Sequence, residues 1–208
     1  METCHVHKCL DNGLVAVGLR FGSIAYVIDN ELARSNGMPP LIAVRQGSSA
    51  LIVGKSLKGG GVAGILVDGT ARIRGNQMHG SGKSGSAVWG TPKADLTIIG
   101  NQIDGYRNLL NSSGCKVTVV DNVICNFQGT AITVKNPIGA AVVASNTAIS
   151  KKPKDKAVAF DGPRGKQKDS ATRTLLCHGT GKLIHRFTET AHFPAKLPVA
   201  LCISNSAL

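Results

Sequence analysis

One polar position returns along this chain at nearly constant intervals, and this repeat constrains the fold more than any other feature. The position is occupied by Asn30, Lys55, Asn76, Asn101, Asn122 and Asn146. The steps between them are 25, 21, 25, 21 and 24 residues. Val or Ile lies three residues before each of these positions, and outward residues alternate with inward ones, as in Arg72-Ile73-Arg74. Alternation with period two on β-branched residues predicts strands rather than helices.

A second apolar run lies between successive repeat positions, for example Leu41-Ile42-Ala43-Val44. Each period therefore contains two or three short strands, with Gly, Asn, Asp and Ser at the joints, where they favour tight turns. A leucine-rich repeat would need Leu at fixed steps, whereas Val and Ile dominate here, and a β-sandwich would not return one polar residue so regularly. The sequence predicts an all-β, single-stranded parallel β-helix of about six to seven coils, one per repeat.

Stacked coils bring the repeated positions into one column, because neighbouring strands lie about 4.8 Å apart. Asn offers two amide donors and a carbonyl acceptor, so stacked Asn side chains can bond to one another and to buried turn backbone. Asn also tolerates the left-handed conformation that such a bend requires. We therefore predict a structural ladder, the alternative being a polar binding row. The Lys55 ammonium should not be buried in this column, so its turn should open outward.

The step Asn101-Gln102-Ile103 after an Ile-rich strand, and runs such as Gly64-Ile65-Leu66-Val67, resemble the right-handed parallel β-helix of the pectate-lyase-like superfamily. The resemblance covers residues 4 to about 161. It implies a ladder of stacked asparagines, an extracytoplasmic or secreted location and activity on polysaccharides. We predict no cofactor, and only the resemblance allows for calcium. The resemblance does not identify a specific reaction, since one fold hosts many functions.

The predicted domain organisation is a β-helix over residues 1–161 and a basic C-terminal extension, either a cap or a tail, over residues 162–208. Cys4-His5-Val6 matches the Asn-x-Ile step if Cys4 takes the ladder place. The strand before it would then be missing, so we expect a β-helix that starts mid-coil and a chain that is a fragment of a larger protein. Leu183, Ile184 and Phe187 suggest a short helix in the extension.

The net positive charge indicates an anionic partner but does not identify which class of anion it is. The chain carries 24 Lys and Arg against 12 Asp and Glu, a formal charge of +12. A basic surface attracts acidic polysaccharide, anionic lipid or nucleic acid. Phe187 and Phe193 do not interleave repeatedly with basic residues, which disfavours nucleic acid. No apolar run is long enough for a transmembrane helix, and no signal peptide is visible. The sequence does not predict an oligomeric state.

Three other motifs resemble ligand sites but are better explained as parts of the fold. His79-Gly80-Ser81-Gly82-Lys83-Ser84 lacks the first glycine of a phosphate loop and precedes a predicted strand, so we predict no nucleotide site. Alternation separates His5 and His7 from Cys4, which argues against a metal site at the N-terminus. The six cysteines include no C-x-x-C pair, and we interpret Cys115 and Cys125 as small apolar packing residues.

Candidate site residues follow the outer side of the second strand in each coil. The outward residue closing that strand gives a row that we predict to contain Arg45, Asp68, Gly90, Asn111, Lys135 and Asp161. Loop residues His79, Lys83, Tyr106 and Arg107 are expected to approach the same side. Attack on an acidic glycan requires a base for the sugar C5 proton and cations against the carboxylate.

The candidate catalytic residues are Arg45, Asp68, Lys83 and Arg107. The candidate substrate-binding residues are His79, Tyr106 and Lys135. Asp68 and Lys135 are three coils apart, roughly 14 Å, which is too far to act on one bond. We predict a polysaccharide-binding or polysaccharide-cleaving protein, which as an enzyme would be a lyase, epimerase or glycoside hydrolase. The alternative is a non-catalytic structural or surface-attachment scaffold, whose row of charges only keeps the sheet soluble.

Overall fold

A computed structural model describes residues 3–5, 9–10, 17–20, 22–33, 38–54, 56–139, 141–150, 152–162, 167–170, 173–177 and 183–186. Every regular element in these ranges is a β-strand, and none is a helix. The strands stack in parallel as a solenoid of about six turns. The predicted all-β parallel solenoid is confirmed.

The first sheet contains one strand from each coil. Its eight strands are β1 (Thr3–His5), β4 (Ile24–Ile28), β7 (Ser49–Val53), β10 (Thr70–Arg74), β12 (Asp95–Ile99), β14 (Lys116–Val120), β17 (Ala141–Ala144) and β20 (Gln167–Ser170). All neighbours are parallel, and β4 to β14 pair over five residues each without a shift in register. The alternation seen in the sequence therefore becomes straight columns of side chains on both sides of this sheet.

The second sheet contains fourteen strands, which form two further faces of the solenoid. The second face is built from β2 (Cys9–Leu10), β5 (Glu31–Ala33), β8 (Ser56–Lys58), β15 (Val123–Cys125), β18 (Thr147–Ser150), β21 (Arg173–Cys177) and β22 (Leu183–Arg186). The third face is built from β3 (Val17–Leu19), β6 (Ile42–Val44), β9 (Ala63–Val67), β16 (Thr130–Lys135) and β19 (Lys156–Asp161). The long strands β11 (Gln77–Gly90) and β13 (Gln102–Ser113) pair with strands of both faces.

The asparagines form the predicted ladder in the two-residue turns between the first sheet and the second face. Asn122 is fully buried, and its backbone N–H and side-chain amide both donate to Oδ1 of Asn146, at 3.0 and 2.9 Å. Asn76 donates in the same way to Asn101, and Asn101 donates to Asn122. The amides also donate to strand carbonyls, so the column satisfies turn backbone that would otherwise be buried unpaired.

We predict that the asparagine of this turn is left-handed, and this is wrong. The left-handed residue is the one before it. Asp29, Gly75, Gly100, Asp121 and Ser145 have φ angles between 54° and 65°. The asparagine itself stays outside the left-handed region, which aims its side chain into the solenoid. Asn30, at the start of the described column, donates to the Ile28 carbonyl, and its buried Oδ1 has no partner in the described part of the chain. Lys55 lies outside the described residues, so the predicted opening of its turn stays a prediction.

Inward-facing apolar residues of all three faces form one continuous core. Ile52, Ile73, Ile98 and Val119 occupy one column of it and are at most 1% exposed. The column consists of the β-branched residues found three positions before each repeat position, so the spacing that predicted strands also places the core.

Two predictions about the chain ends are wrong. Cys4 pairs with Ala25 in the first sheet, five residues before the Asn30 position, so Cys4 does not occupy the ladder place. Residues 183–186 form the strand β22 instead of a helix and pair antiparallel with β21. Beyond Asp161, β20 and β21 continue the first sheet and the second face in parallel with β17 and β18.

Candidate functional site

The outer edge of the third face carries a continuous row of polar side chains. Strand register aligns Ser113 with Lys135 and Lys135 with Asp161. The same register, extended by one residue beyond each paired strand, gives the row Arg20, Arg45, Asp68, Thr91, Ser113, Lys135 and Asp161. We call these seven residues the edge row. Successive members lie about 4.8 Å apart, on neighbouring coils.

Two predicted members of the row are wrong. Gly90 pairs with Val67 and Ser112, one residue before the edge, and a Cβ on Gly90 would point into the core, 2.5 Å from Cδ1 of Leu96. Asn111 pairs with Thr133, two residues before Lys135. Thr91 and Ser113 take these places. Extra residues between His79 and Ser84 in β11 change the number of residues from the repeat position to the edge. Residue spacing alone therefore could not show which residue of this coil lies at the edge.

Asp68 is already engaged by a neighbour within the edge row. The Thr91 hydroxyl donates to Oδ1 of Asp68 at 2.7 Å. Arg45, on the preceding coil, is exposed and forms no ion pair within 4.0 Å with any residue that the structure describes. Among the described residues, the row therefore presents a guanidinium without an ion pair beside a carboxylate that accepts a hydrogen bond from a hydroxyl.

A second outward column lies beside the edge row on the same face. It contains Leu66, Trp89, Asn111 and Thr133, which strand pairing places directly above one another. Trp89 is 38% exposed, and it is the only tryptophan in the chain. We call these four residues the Trp89 column. The sequence pattern predicts only a strand from Ser86 to Trp89, although the single Trp at an outward position of that strand is the available signal for this column.

Tyr106 does not reach the outer side, and its predicted position is wrong. Its ring is 1% exposed within the core, and its hydroxyl donates to the Gly59 carbonyl. Burial raises the pKa of this phenol far above its usual range, because the charged form would lose its hydration. An outward-facing substrate cannot contact this side chain.

The other predicted loop residues do not converge on the edge row. His79 lies on the second face, between Lys58 and Asp104. Arg107 is exposed, but it lies six residues before Ser113 in β13, up to about 20 Å along the strand. The side chain of Lys83 lies outside the described residues. Of the four candidate catalytic residues, only Arg45 and Asp68 are neighbouring members of the edge row.

The segment that looked like a phosphate loop is an irregularity within a strand. The pairing of β11 with β13 shifts register between His79 and Ser84, and Ser86 is again paired in the sheet. The predicted strand after this loop is confirmed, and no helix N-terminus follows it to receive a phosphate.

Cys115 packs in the core below the edge row, as expected for a small apolar residue. Its thiol donates to the Thr91 carbonyl, and burial raises its pKa. Cys125 is instead half-buried on the outer side of the second face.

Within the described ranges, no group of three or more His, Cys, Asp or Glu side chains is arranged to hold a metal ion. The same ranges contain no helix long and apolar enough to cross a membrane. Comparisons of the chain with protein-family models, with curated proteins and with solved structures find no match. The third face can offer an aromatic surface flanked by amide, hydroxyl and charged groups, all on a rigid sheet.

Proposed function

We propose that this protein is a polysaccharide-binding β-helix of the pectate-lyase-like type, in which an extended glycan lies across the coils of the third face. The observation that carries the proposal is the outward position of Trp89 in the middle of that face. Tryptophan has a large apolar surface and is enriched where one molecule recognises another. The buried Asn ladder supports the superfamily assignment, because the resemblance implies it.

The surroundings of Trp89 suit a sugar chain. Asn111 and Thr133 continue its column with an amide and a hydroxyl, which can both donate and accept hydrogen bonds. Thr91 and Ser113 lie beside them in the edge row, so polar groups line one side of the ring. A flat apolar ring bordered by such groups is the usual composition of a small-molecule site.

The same geometry favours binding over cleavage. Proton abstraction from a sugar requires a base and cations within hydrogen-bond reach of one unit. Arg45 and Asp68 are neighbours, but Arg107 is distant and Lys135 is three coils from Asp68. The formal charge of +12 and Arg45, which has no ion pair in the described part of the chain, favour an acidic glycan over a neutral one. Secretion and a calcium cofactor remain predictions from the resemblance.

The single tryptophan provides a direct test. Titration with alginate, polygalacturonate and neutral glucan oligosaccharides should change the fluorescence of Trp89 with the acidic chains, because a bound sugar displaces water from the ring. Trp89→Ala should then lose at least tenfold in affinity by affinity electrophoresis. Tyr26→Ala removes an aromatic of similar exposure, 37%, from the first sheet and should bind normally.

Unchanged fluorescence with every glycan would contradict the proposal and leave the solenoid as a scaffold without a ligand. Equal loss in the Trp89 and Tyr26 variants would place binding elsewhere. Absorbance at about 235 nm, which reports unsaturated uronides formed by proton abstraction, separates binding from cleavage. We expect no increase.

A further inference from the structure

The outer side of the first sheet, here called the first face, is more apolar than an exposed sheet usually is. Its outward apolar side chains are Ile24, Tyr26, Ile28, Leu51, Val53, Ile99, Val120, Val142 and Ala144. Ile28 and Ile99 are 36% and 38% exposed. Exposed apolar side chains grouped on one sheet mark an interaction surface.

Two arginines lie within this apolar surface. Arg72 and Arg74 project from β10, two residues apart on the same side, and both are exposed. Neither forms an ion pair with the residues that the structure describes, where the ion pairs are Lys58–Glu31 and Lys116–Asp95. Arginine is enriched at the centres of protein interfaces. If this face bound a membrane instead, these two central charges would be buried deepest in the lipid, where a charge is costly.

The first face also carries the carboxylates that could pair with these arginines. Asp29 and Asp121 are exposed and directly follow β4 and β14, each two strands away from β10 in the sheet. Within one molecule these carboxylates lie two strands, about 9.6 Å, to the side of β10. They form no ion pair with its arginines, because the side chains project outward from the sheet rather than along it. A second molecule could bring the opposite charges together.

We propose that a second copy of this chain packs against the first face, with a two-fold axis that runs parallel to the strands and lies over β12. Because β10 and β14 are both neighbours of β12, this symmetry places Arg74 of one copy opposite Val120 and Asp121 of the other. Face-to-face sheets lie about 10 Å apart, a gap that an arginine side chain can span. The interface therefore contains two symmetry-related ion pairs.

The apolar residues match under the same symmetry. Strands β7 and β17 are each two strands from β12, so Leu51 and Val53 face Val142 and Ala144 of the second copy, and Ile99 faces itself. The unbroken register from β4 to β14 aligns the outward side chains in straight columns, which suits packing as an aligned sheet pair.

The area of the first face determines how stable we expect the dimer to be. Six strands of about five residues give a flat area of roughly 400 Å² per copy, smaller than the interface of a permanent dimer. The net charge of +12 on each copy adds repulsion, which physiological salt screens beyond about 8 Å. The dimer should therefore depend on protein concentration.

Sedimentation velocity of the full chain over a wide concentration range tests this dimer. The wild type should shift from monomer to dimer, whereas Arg74→Glu and Asp121→Lys should each weaken association at least tenfold. The double variant should recover it, because the charges are exchanged. Lys is acceptable at the left-handed position 121, since Lys93 already has a φ of 75°.

Lys135→Glu makes the same type of charge reversal on the third face and should leave association unchanged. Circular dichroism confirms the fold of each variant. A wild type that stays monomeric at every concentration overturns the proposal, as does a double variant that remains dissociated. Trp89→Ala should dimerise normally, so failure of glycan binding and failure of dimerisation are distinguishable.

Discussion

The asparagine column shows how one residue type can serve as donor and acceptor at once. Each inner member accepts two hydrogen bonds from the coil before it and donates two to the next, as Asn122 does between Asn101 and Asn146. No other side chain of this size combines a carbonyl with an amide. An aspartate could not donate, and its buried charge would be costly. The sequence predicted this column because the chemistry of Asn restricts the alternatives.

Replacing Asn122 should therefore destabilise the protein more than replacing Asn30. Asn122→Ala removes the acceptor for two buried donors of Asn101, and we expect a loss of about 2–4 kcal/mol in the free energy of unfolding. Asn30→Ala removes a single bond to Ile28 and a carbonyl that already lacks a described partner, so the loss should be about 1 kcal/mol. Urea denaturation measures both. Equal losses would mean that the bonds between coils contribute nothing.

At the scale of the element, the sequence pattern predicts the positions of the strands correctly, but it does not predict which side chains point inward after an irregular corner. Period-two alternation with β-branched residues correctly located the first sheet, because its strands pair without bulges. The insertion between His79 and Ser84 restarts the inward–outward phase in β11, so that Thr91 is on the edge. In β13 the left-handed Gly105 breaks the phase at the same corner, so that Tyr106 is in the core. Phase across an irregular corner depends on backbone geometry, which residue spacing does not encode.

The repeat position held by Lys55 is an interruption that can be repaired. Asn30 donates its amide to Ile28, and its donation to a following ladder residue, seen at Asn76, is absent among the described residues. Lys55→Asn should supply the missing carbonyl and raise the free energy of unfolding by about 1 kcal/mol. Lys55→Ala is the matched control, since it removes the ammonium without adding an amide. If the two variants melt at the same temperature, the added amide does not join the column.

For the whole molecule, contacts between neighbouring coils dominate, since every parallel strand pair described joins residues 21 to 26 positions apart. A solenoid of this kind gains stability from each interface between coils, and its terminal coils protect the edges of those inside. The strands β20 and β21 cover the edges of β17 and β18. Residues beyond Asp161 thus contribute an interface in addition to their charge.

Truncation after Gly162 tests whether stability is distributed in this way. Because the interfaces among β10, β12 and β14 would remain intact, the shortened chain should still melt cooperatively, but at a lower temperature than the full chain. Hydrogen exchange should accelerate in β17 and β18, whose edges lose their partners, and change little in β12. An unchanged melting temperature would show that β20 and β21 add no stabilising interface. Loss of cooperative melting would instead show that the solenoid requires its final strands to fold, as a single unit whose stability cannot be divided among coils.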